Sequence, residues 1–328
     1  MKLSIVATLY RSAPHLQEFH RRASAAARSL VGDDYEIILV NDGSPDHSLE
    51  LAIALTREDS HATVVDLSRN FGHHKAMMTG LAHARGERIF LIDSDLEEEP
   101  ECLLEFAAKM HAENADVVFG VQQHRRGGWV EKYSGLIFYH LFRMLTGVRQ
   151  PDNIVTARLM TWRYTRALLR HREREVNIGG LWHITGFKQY AQPITKHSTS
   201  QTTYTLRRKI SHFVNAITSF SNAPLVWIFY IGASISAAAS AYTAYLVLNY
   251  WLLSKPVSGY TSIMASIWLL GGLIISFIGV IGIYLAKIYS ETKRRPYTIV
   301  RQIYRTGDIQ TDEAIREDSE CRVSDHAS

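Results

Sequence analysis

Apolar and polar positions along this chain change character near residue 205. Before it, short β-rich runs recur: Leu3-Ser4-Ile5-Val6-Ala7, Tyr35-Glu36-Ile37-Ile38-Leu39-Val40, Thr63-Val64-Val65-Asp66-Leu67, Ile89-Phe90-Leu91-Ile92 and Asp116-Val117-Val118-Phe119. Between them lie stretches with helical spacing, near Leu16 to Leu30, Leu49 to Thr56, His74 to Ala84 and Glu101 to Glu113. Strand and helix alternating in this way predict an α/β fold, a mostly parallel sheet covered by helices on both faces. No fixed-period repeat interrupts the pattern.

The second half reads differently. No Asp, Glu, Lys or Arg occurs from Ile210 to Ser254 or from Pro256 to Ala286, in a chain where 21% of residues are charged. Each stretch exceeds the roughly 20 apolar residues that cross a bilayer. Transmembrane helices are therefore expected from Leu225 to about Leu248 and from Ile263 to about Ala286. Trp227, Tyr230, Tyr250 and Trp251 mark the ends of the first, and Tyr260, Trp268, Tyr284 and Tyr289 those of the second. Arg207, Arg208 and Lys209 precede the pair, and Lys287, Lys293, Arg294, Arg295 and Arg301 follow it, while the connection holds only Lys255. The positive-inside rule then predicts a multi-pass hairpin in the cytoplasmic (inner) membrane, with both termini cytosolic.

Composition adds little that conflicts. The net charge of +4 is partly accounted for by the basic residues flanking the hairpin, so it does not point to nucleic acid. Those residues suit an anionic lipid surface. Met1 to Leu9 is too short for a cleavable signal peptide. Cys102 and Cys321 imply no disulfide framework in a cytosolic setting. The expected organisation is a cytosolic domain over 1–205, an interfacial amphipathic segment over 206–222, the hairpin over 223–290, and a basic segment with a disordered tail over 291–328. Tyr133 to Leu145 is a second candidate for the membrane interface.

Candidate chemistry gathers where the predicted strands end. Asp93-Ser94-Asp95 closes the run Ile89 to Ile92. Alternation along an extended segment puts the two carboxylates on one face. At the carboxyl edge of an open sheet, where ligands bind, such a pair can hold a hard divalent cation that clamps a diphosphate. Thr8, Tyr10 and Arg11 follow the first strand, and Asn41-Asp42-Gly43-Ser44 the second. Asp42 can accept hydrogen bonds from a ribose hydroxyl or a base edge, or it can cap a turn. Ser68-Arg69-Asn70-Phe71-Gly72 follows the third. Gly72, Ala76, Gly80 and Ala84 make a small-residue face for close packing of the next helix, which His73 and His74 begin.

These motifs, in this order, resemble the family-2 glycosyltransferases of GT-A fold, a Rossmann-like architecture. Within them the chain is most similar to the membrane-anchored polyprenyl-phosphate glycosyltransferases, including dolichol-phosphate-mannose synthases and bactoprenol glucosyltransferases. Thr218-Ser219-Phe220-Ser221 with Pro224-Leu225, Gly282-Ile283-Tyr284-Leu285 and Lys293-Arg294-Arg295-Pro296-Tyr297 carry the likeness through the membrane segment.

The resemblance implies inverting transfer of one sugar from a nucleotide-sugar donor to a membrane polyprenyl phosphate. Asp95 would coordinate Mg²⁺ or Mn²⁺, and Asp93 would lie against the ribose or the diphosphate. Thr8, Tyr10, Asp42, Asp93, Arg125 and Lys132 are the expected donor and cofactor contacts; Asp93, Asp95 and Arg158 are the expected catalytic groups. A phosphate acceptor is already anionic, so it needs positioning and neutralisation, for which Arg125, Arg126, Lys132 and Arg158 are candidates. Arg158-Leu159-Met160 matches the end of a family segment usually read Gly-Asp-Phe-Arg-Leu, but Val155-Thr156-Ala157 replaces its acidic start. Thr202-Thr203-Tyr204 likewise replaces a common Ser-Lys-Tyr. A homo-oligomer is also implied, with the stripe Gly232, Ser236, Ser240 and Ala244 as one packing face. Other lipid-linked acceptors, or a non-catalytic membrane scaffold, are the competing readings. A processive synthase is disfavoured because no Gln-x-x-Arg-Trp segment is present.

Overall fold

The computed structural model describes residues 1–122, 153–171, 173, 178–196, 223–253, 259–306 and 308–310. Nine strands appear among them: β1 (Leu3–Leu9), β2 (Tyr35–Asn41), β3 (Ala62–Leu67), β4 (Arg88–Leu91), β5 (Val117–Gln122), β6 (Ile154–Thr161), β7 (Gln189–Ile194), β8 (Val300–Arg305) and β9 (Asp308–Gln310). The helices are α1 (Leu16–Val31), α2 (Ser48–Glu58), α3 (His73–His83), α4 (Cys102–Glu113), α5 (Trp162–Leu169), α6 (Ile178–Ile184), α7 (Ala223–Leu253) and α8 (Tyr260–Thr292).

One sheet contains every strand, in the order β7-β5-β6-β4-β1-β2-β3-β8-β9. Its centre, β4-β1-β2-β3, is parallel throughout. Helical crossovers put β1, β2 and β3 out of water on both faces, and every residue of the three is buried. Antiparallel pairing begins at the flanks, where β6 joins β4 to β5 and β8 lies against β3.

Strand order makes a switch point. The chain steps outward from β1 to β2 to β3, then crosses back to lay β4 on the other side of β1. Loops leaving β1 and β4 therefore diverge, and open a crevice at the carboxyl edge of the sheet.

Helix α3 packs close to the sheet because Gly80 has no side chain. A Cβ there would lie 2.5 Å from Val6 Cγ1 and 2.8 Å from Val40 Cγ2. Of the small-residue face expected from the sequence, Gly80 makes the close contact and Ala76 is buried beside it, whereas Gly72 and Ala84 cap the helix ends and a Cβ at Gly72 would meet nothing within 4 Å. Helix α4 ends at Asn114 in the left-handed conformation (φ 47°), and the amide of Ala115 bonds back to Met110.

Two compact units divide the chain. Residues 1–133, 149–203 and 295–328 form one, and residues 134–148 and 204–294 the other. The stretch after α8 therefore belongs with the N-terminal sheet. The disordered tail expected within 291–328 does not extend over Asp308–Gln310, which pairs with β8. In the second unit, α7 runs 31 residues and α8 33. Leu270–Thr292 is long and apolar enough to cross a membrane, with a mean hydropathy of 2.0. Tyr133 to Leu145 and all of 206–222 lie outside the described residues.

Overpacking at the α3 contact gives a direct check. Gly80→Val is expected to destabilise the protein by about 1–3 kcal/mol, because Val6 and Val40 leave no room for the added carbons. An unchanged melting temperature would show that both valines can move aside.

Candidate active site at the switch point

Four loops meet at the carboxyl edge, and backbone hydrogen bonds lock them together. Asp42, just beyond β2 and 2% exposed, accepts from the amide of Phe71 (2.7 Å) and that of Gly72 (3.0 Å). Gly43, at φ 57°, lets this loop pass so near the next that a Cβ would sit 2.5 Å from the Asn70 nitrogen. Asn41-Asp42-Gly43-Ser44 and Ser68-Arg69-Asn70-Phe71-Gly72 are thus one joint rather than two motifs. Burial pushes the Asp42 carboxyl up, against the pull of the two amides and of His73 and Arg69.

Gly72 (φ 99°) then turns the chain into α3 and sets His73 over the crevice. The imidazole spans it: Nδ1 lies 3.0 Å from Thr8 Oγ1, and Nε2 lies 3.3 Å from Asp93 Oδ1. Burial disfavours the His73 cation, but Asp93, Asp42 and Asp95 outweigh it and raise its pKa above the ordinary value.

β4 ends at Leu91, so Asp93-Ser94-Asp95 runs into a turn rather than along an extended segment. Ser94 is buried, its hydroxyl donating to the Thr8 carbonyl (2.7 Å), while the flanking carboxylates keep access to solvent. Leu96, left-handed at φ 59°, folds the chain so that Asp95 Oδ1 accepts from the amide of Glu97 (3.0 Å). Burial, with the neighbouring charges of Asp93 and Glu97, raises Asp95. Burial also opposes ionisation of Asp93, yet His73, Thr156 and Lys196 hold its carboxyl below the usual range.

Two further groups at this edge escape a reading of the sequence. Glu98 is fully buried and accepts from the amides of Thr156 (3.0 Å) and Ala157 (2.7 Å) at the start of β6. Desolvation and the Asp93 charge push its pKa up to about 7. Lys196 places Nζ 3.0 Å from Glu97 and 4.0 Å from Glu98. A Glu97-Glu98-Glu99 run ordinarily marks a solvated face; only the following Pro100 hints that this one turns inward.

The other expected residues fall in three places. Tyr10 stands half exposed beside the crevice. Arg158 does not reach it: it is 1% exposed on β6, stacked 2.9 Å from the centroid of the Trp182 ring, with donors aimed at the carbonyls of Val155 and Thr156. Burial lowers its pKa to about 9. It sits opposite Leu91 and Phe119 in the ladder, so it belongs to the interior of the sheet. Arg125, Arg126, Lys132 and the Thr202 to Tyr204 segment lie outside the described residues.

The donor set suits a hard cation. Asp93 Oδ1 is buried with the His73 imidazole 3.3 Å away, and burial together with the charges of Asp93 and Glu97 outweighs the Glu97 amide and Lys196 at Asp95. Among the described residues, no group of three or more His, Cys, Asp or Glu side chains is gathered for a metal. Few protein ligands, with phosphate and water completing the shell, is the usual arrangement for Mg²⁺.

Fold and site together define an α/β transferase of GT-A type. The chain belongs to glycosyltransferase family 2, whose model, glycosyl transferase family 2, matches residues 4–183. It is 50% identical over 304 residues to a glycosyltransferase relative from Mycobacterium tuberculosis, covering 93% of this chain and 89% of the relative. An uncharacterized glycosyltransferase of Synechocystis is 33% identical, with 93% and 96% covered. The undecaprenyl-phosphate 4-deoxy-4-formamido-L-arabinose transferase of Shewanella sediminis is 30% identical, with 92% of each chain covered.

The loop joint also carries a pH signature. Burial would raise Asp46, but the hydroxyls of Ser44 and Ser48 and the amides of Ala13 and Ser48 outweigh it and hold its pKa at about 2. A depressed carboxyl contributes stability above its unfolded value of 3.8, lost as pH falls toward 2. Asp46→Asn is expected to cost about 1–2 kcal/mol at pH 7, after discounting for partial exposure. Denaturation at a series of pH values should show the gap closing between about pH 4 and pH 2; a gap independent of pH would remove the charge from the explanation.

Proposed function

We propose that this chain transfers one sugar, with inversion, from a nucleotide-sugar donor to a polyprenyl phosphate of undecaprenyl type, for cell-envelope glycan synthesis. The observation that carries the reading is the pair Asp93 and Asp95 held at the switch point, with His73 bridging Asp93 to Thr8. Open sheets bind nucleotides in that crevice.

Asp95, with Asp93 beside it, would hold Mg²⁺ or Mn²⁺; either ion supplies a Lewis acid that stabilises the departing nucleoside diphosphate. The chain's own residues set the frame for that chemistry. Ser94 anchors the acidic loop to the end of β1, Glu98 anchors it to β6, and Lys196 offsets its negative charge. Asp42 shapes the nucleoside side through the loop it holds. Arg158 stiffens β6 beneath the site.

The acceptor reading draws on the Shewanella sediminis relative, which is named for undecaprenyl phosphate and matches over nearly the whole chain. A phosphate is anionic at neutral pH, so attack requires neutralisation and alignment rather than removal of a proton. Exposed Ile274, Ile275, Ile278 and Leu285 on α8 suit contact with acyl chains. Together with the charge-free α7, they suit a two-span anchor; the basic residues that flank the pair, Lys293, Arg294 and Arg295 among them, would keep both termini and the catalytic domain cytosolic.

Membranes holding the protein, incubated with a panel of radiolabelled nucleotide sugars, should pass label to added polyprenyl phosphate. Label appearing only on a preformed lipid-linked saccharide would reject the acceptor, and none in lipid with any donor would reject the reaction. Asp95→Asn should fold normally yet lose most turnover, a penalty of several kcal/mol (about 3 or more) in the transition state. Near-normal turnover would sink the metal assignment.

Topology is tested separately. Cysteines introduced at Ser258 and Ser328 should be labelled from opposite sides of the membrane; labelling of both from one side would reject the hairpin.

A further inference from the structure

The chain returns to the sheet after α8 at the edge that carries the site. β8 runs antiparallel to β3, so its first residues lie beside the last residues of β3. The pairing shifts register between Asp66 and Leu67, where β3 gives way to the Ser68 loop. Just there, the amide of Ser68 donates to the Ile299 carbonyl at 2.9 Å. Arg301 grips the same residue from its other side, donating from Nη2 to the Ser68 carbonyl at 2.6 Å.

The guanidinium has a second partner. Arg301 Nη1 lies 3.5 Å from Oδ2 of Asp66, a carboxylate only 1% exposed. That oxygen makes no hydrogen bond among the described residues, and the Arg301 charge beside it joins the Asn41 hydrogen bond in opposing the cost of burying this acid. Oδ1 of Asp66 accepts from Asn41 Nδ2 at 2.7 Å, and Asn41 Oδ1 accepts from the amide of Ser44 at 3.2 Å. One surface arginine thus touches the β3 loop directly and reaches the β2 loop through a single buried acid. Thr298 adds a third tie, its hydroxyl 2.8 Å from that of Thr79 in α3.

We propose that residues 298–301 are a built-in wall of the nucleotide end of the site, and that Arg301 is a positioning residue for donor binding. It acts through Ser68 and Asp66 and needs no contact with the donor. The inference rests on the donor reading above only for the identity of the ligand; the clamp itself is a property of the two loops. A bond that sets loop geometry before the donor arrives affects affinity for the nucleotide and leaves the bond-breaking step alone.

The test uses the full chain in detergent, with Arg301→Ala and Arg301→Lys. Hydrogen exchange should quicken in peptides covering 41–46 and 68–72 of the Ala variant, with little change in the central strands. Affinity for UDP or GDP, each titrated with Mg²⁺, should fall about three- to tenfold, as expected for a half-exposed charged contact. The KM for the donor should rise to match, with kcat unchanged. Arg301→Lys keeps the charge beside Asp66 and loses the fork, so it should recover part of the affinity. Unaltered exchange at 68–72 would overturn the proposal. So would a fall in kcat and melting temperature together with no change in KM, the mark of a strand that only holds the fold. If the wild-type chain binds neither nucleotide, the donor reading fails, and exchange at 41–46 and 68–72 still judges the clamp.

Discussion

A buried carboxylate receiving two backbone amides underlies the whole catalytic edge. Asp42 lies almost wholly out of water, a costly place for a charge unless hydrogen bonds replace its hydration. Phe71 and Gly72 supply them, and charge-assisted bonds of this kind contribute about 1.5–3 kcal/mol each. The bonds fix where α3 starts. They thereby fix His73, the side chain that ties the end of β1 to the acidic loop after β4. Without that joint, the crevice between β1 and β4 would have one rigid wall and one loose one.

The acidic loop shows the same logic in reverse. Asp93, Asp95, Glu97 and Glu98 crowd six positions, and Coulomb repulsion alone would push them apart. Each is instead assigned a separate counterweight: His73 for Asp93, the Glu97 amide for Asp95, Lys196 for Glu97, and two β6 amides for Glu98. Burial first, and then the neighbouring carboxylates, raise Asp95 and Glu98 despite these partners. Residual negative potential at a ligand-facing edge is what a divalent cation would meet, and its charge would relieve the strain the fold leaves in place.

Much of this was legible in the sequence because local rules and the final structure agree. Four apolar runs became the parallel centre of the sheet, and Asp93-Ser94-Asp95 follows the last of them with Ser94 buried between two half-buried carboxylates. What escaped is non-local. β7 and β8 contain too many polar residues to read as strands, and pair only because β5 and β3 offer free edges. Asp42 reads as a ligand contact or a turn cap, and nothing local reveals that its partners are Phe71 and Gly72, some thirty residues on. Arg158 reads as a free cation until β4, β5 and Trp182 close over it. Lys196 and Glu98 meet across nearly a hundred residues of sequence, a separation that no periodicity reports.

The placement of β8 ties the segment after α8 to the sheet. A tether that only confined the catalytic domain near lipid could leave the sheet at any loop and need make no contact with the site. Here the polypeptide re-enters beside β3 at the ligand edge, covers that exposed strand, and is itself bordered by the three-residue β9. Closing an open edge protects the sheet from pairing with another chain. It also makes residues on the far side of the apolar helices part of the wall that Asp66 and Ser68 present. The segment after α8 therefore belongs to the same unit as the N-terminal sheet, although two apolar helices separate them in sequence. The physical reason is that the last strand of the sheet is encoded after the last apolar helix.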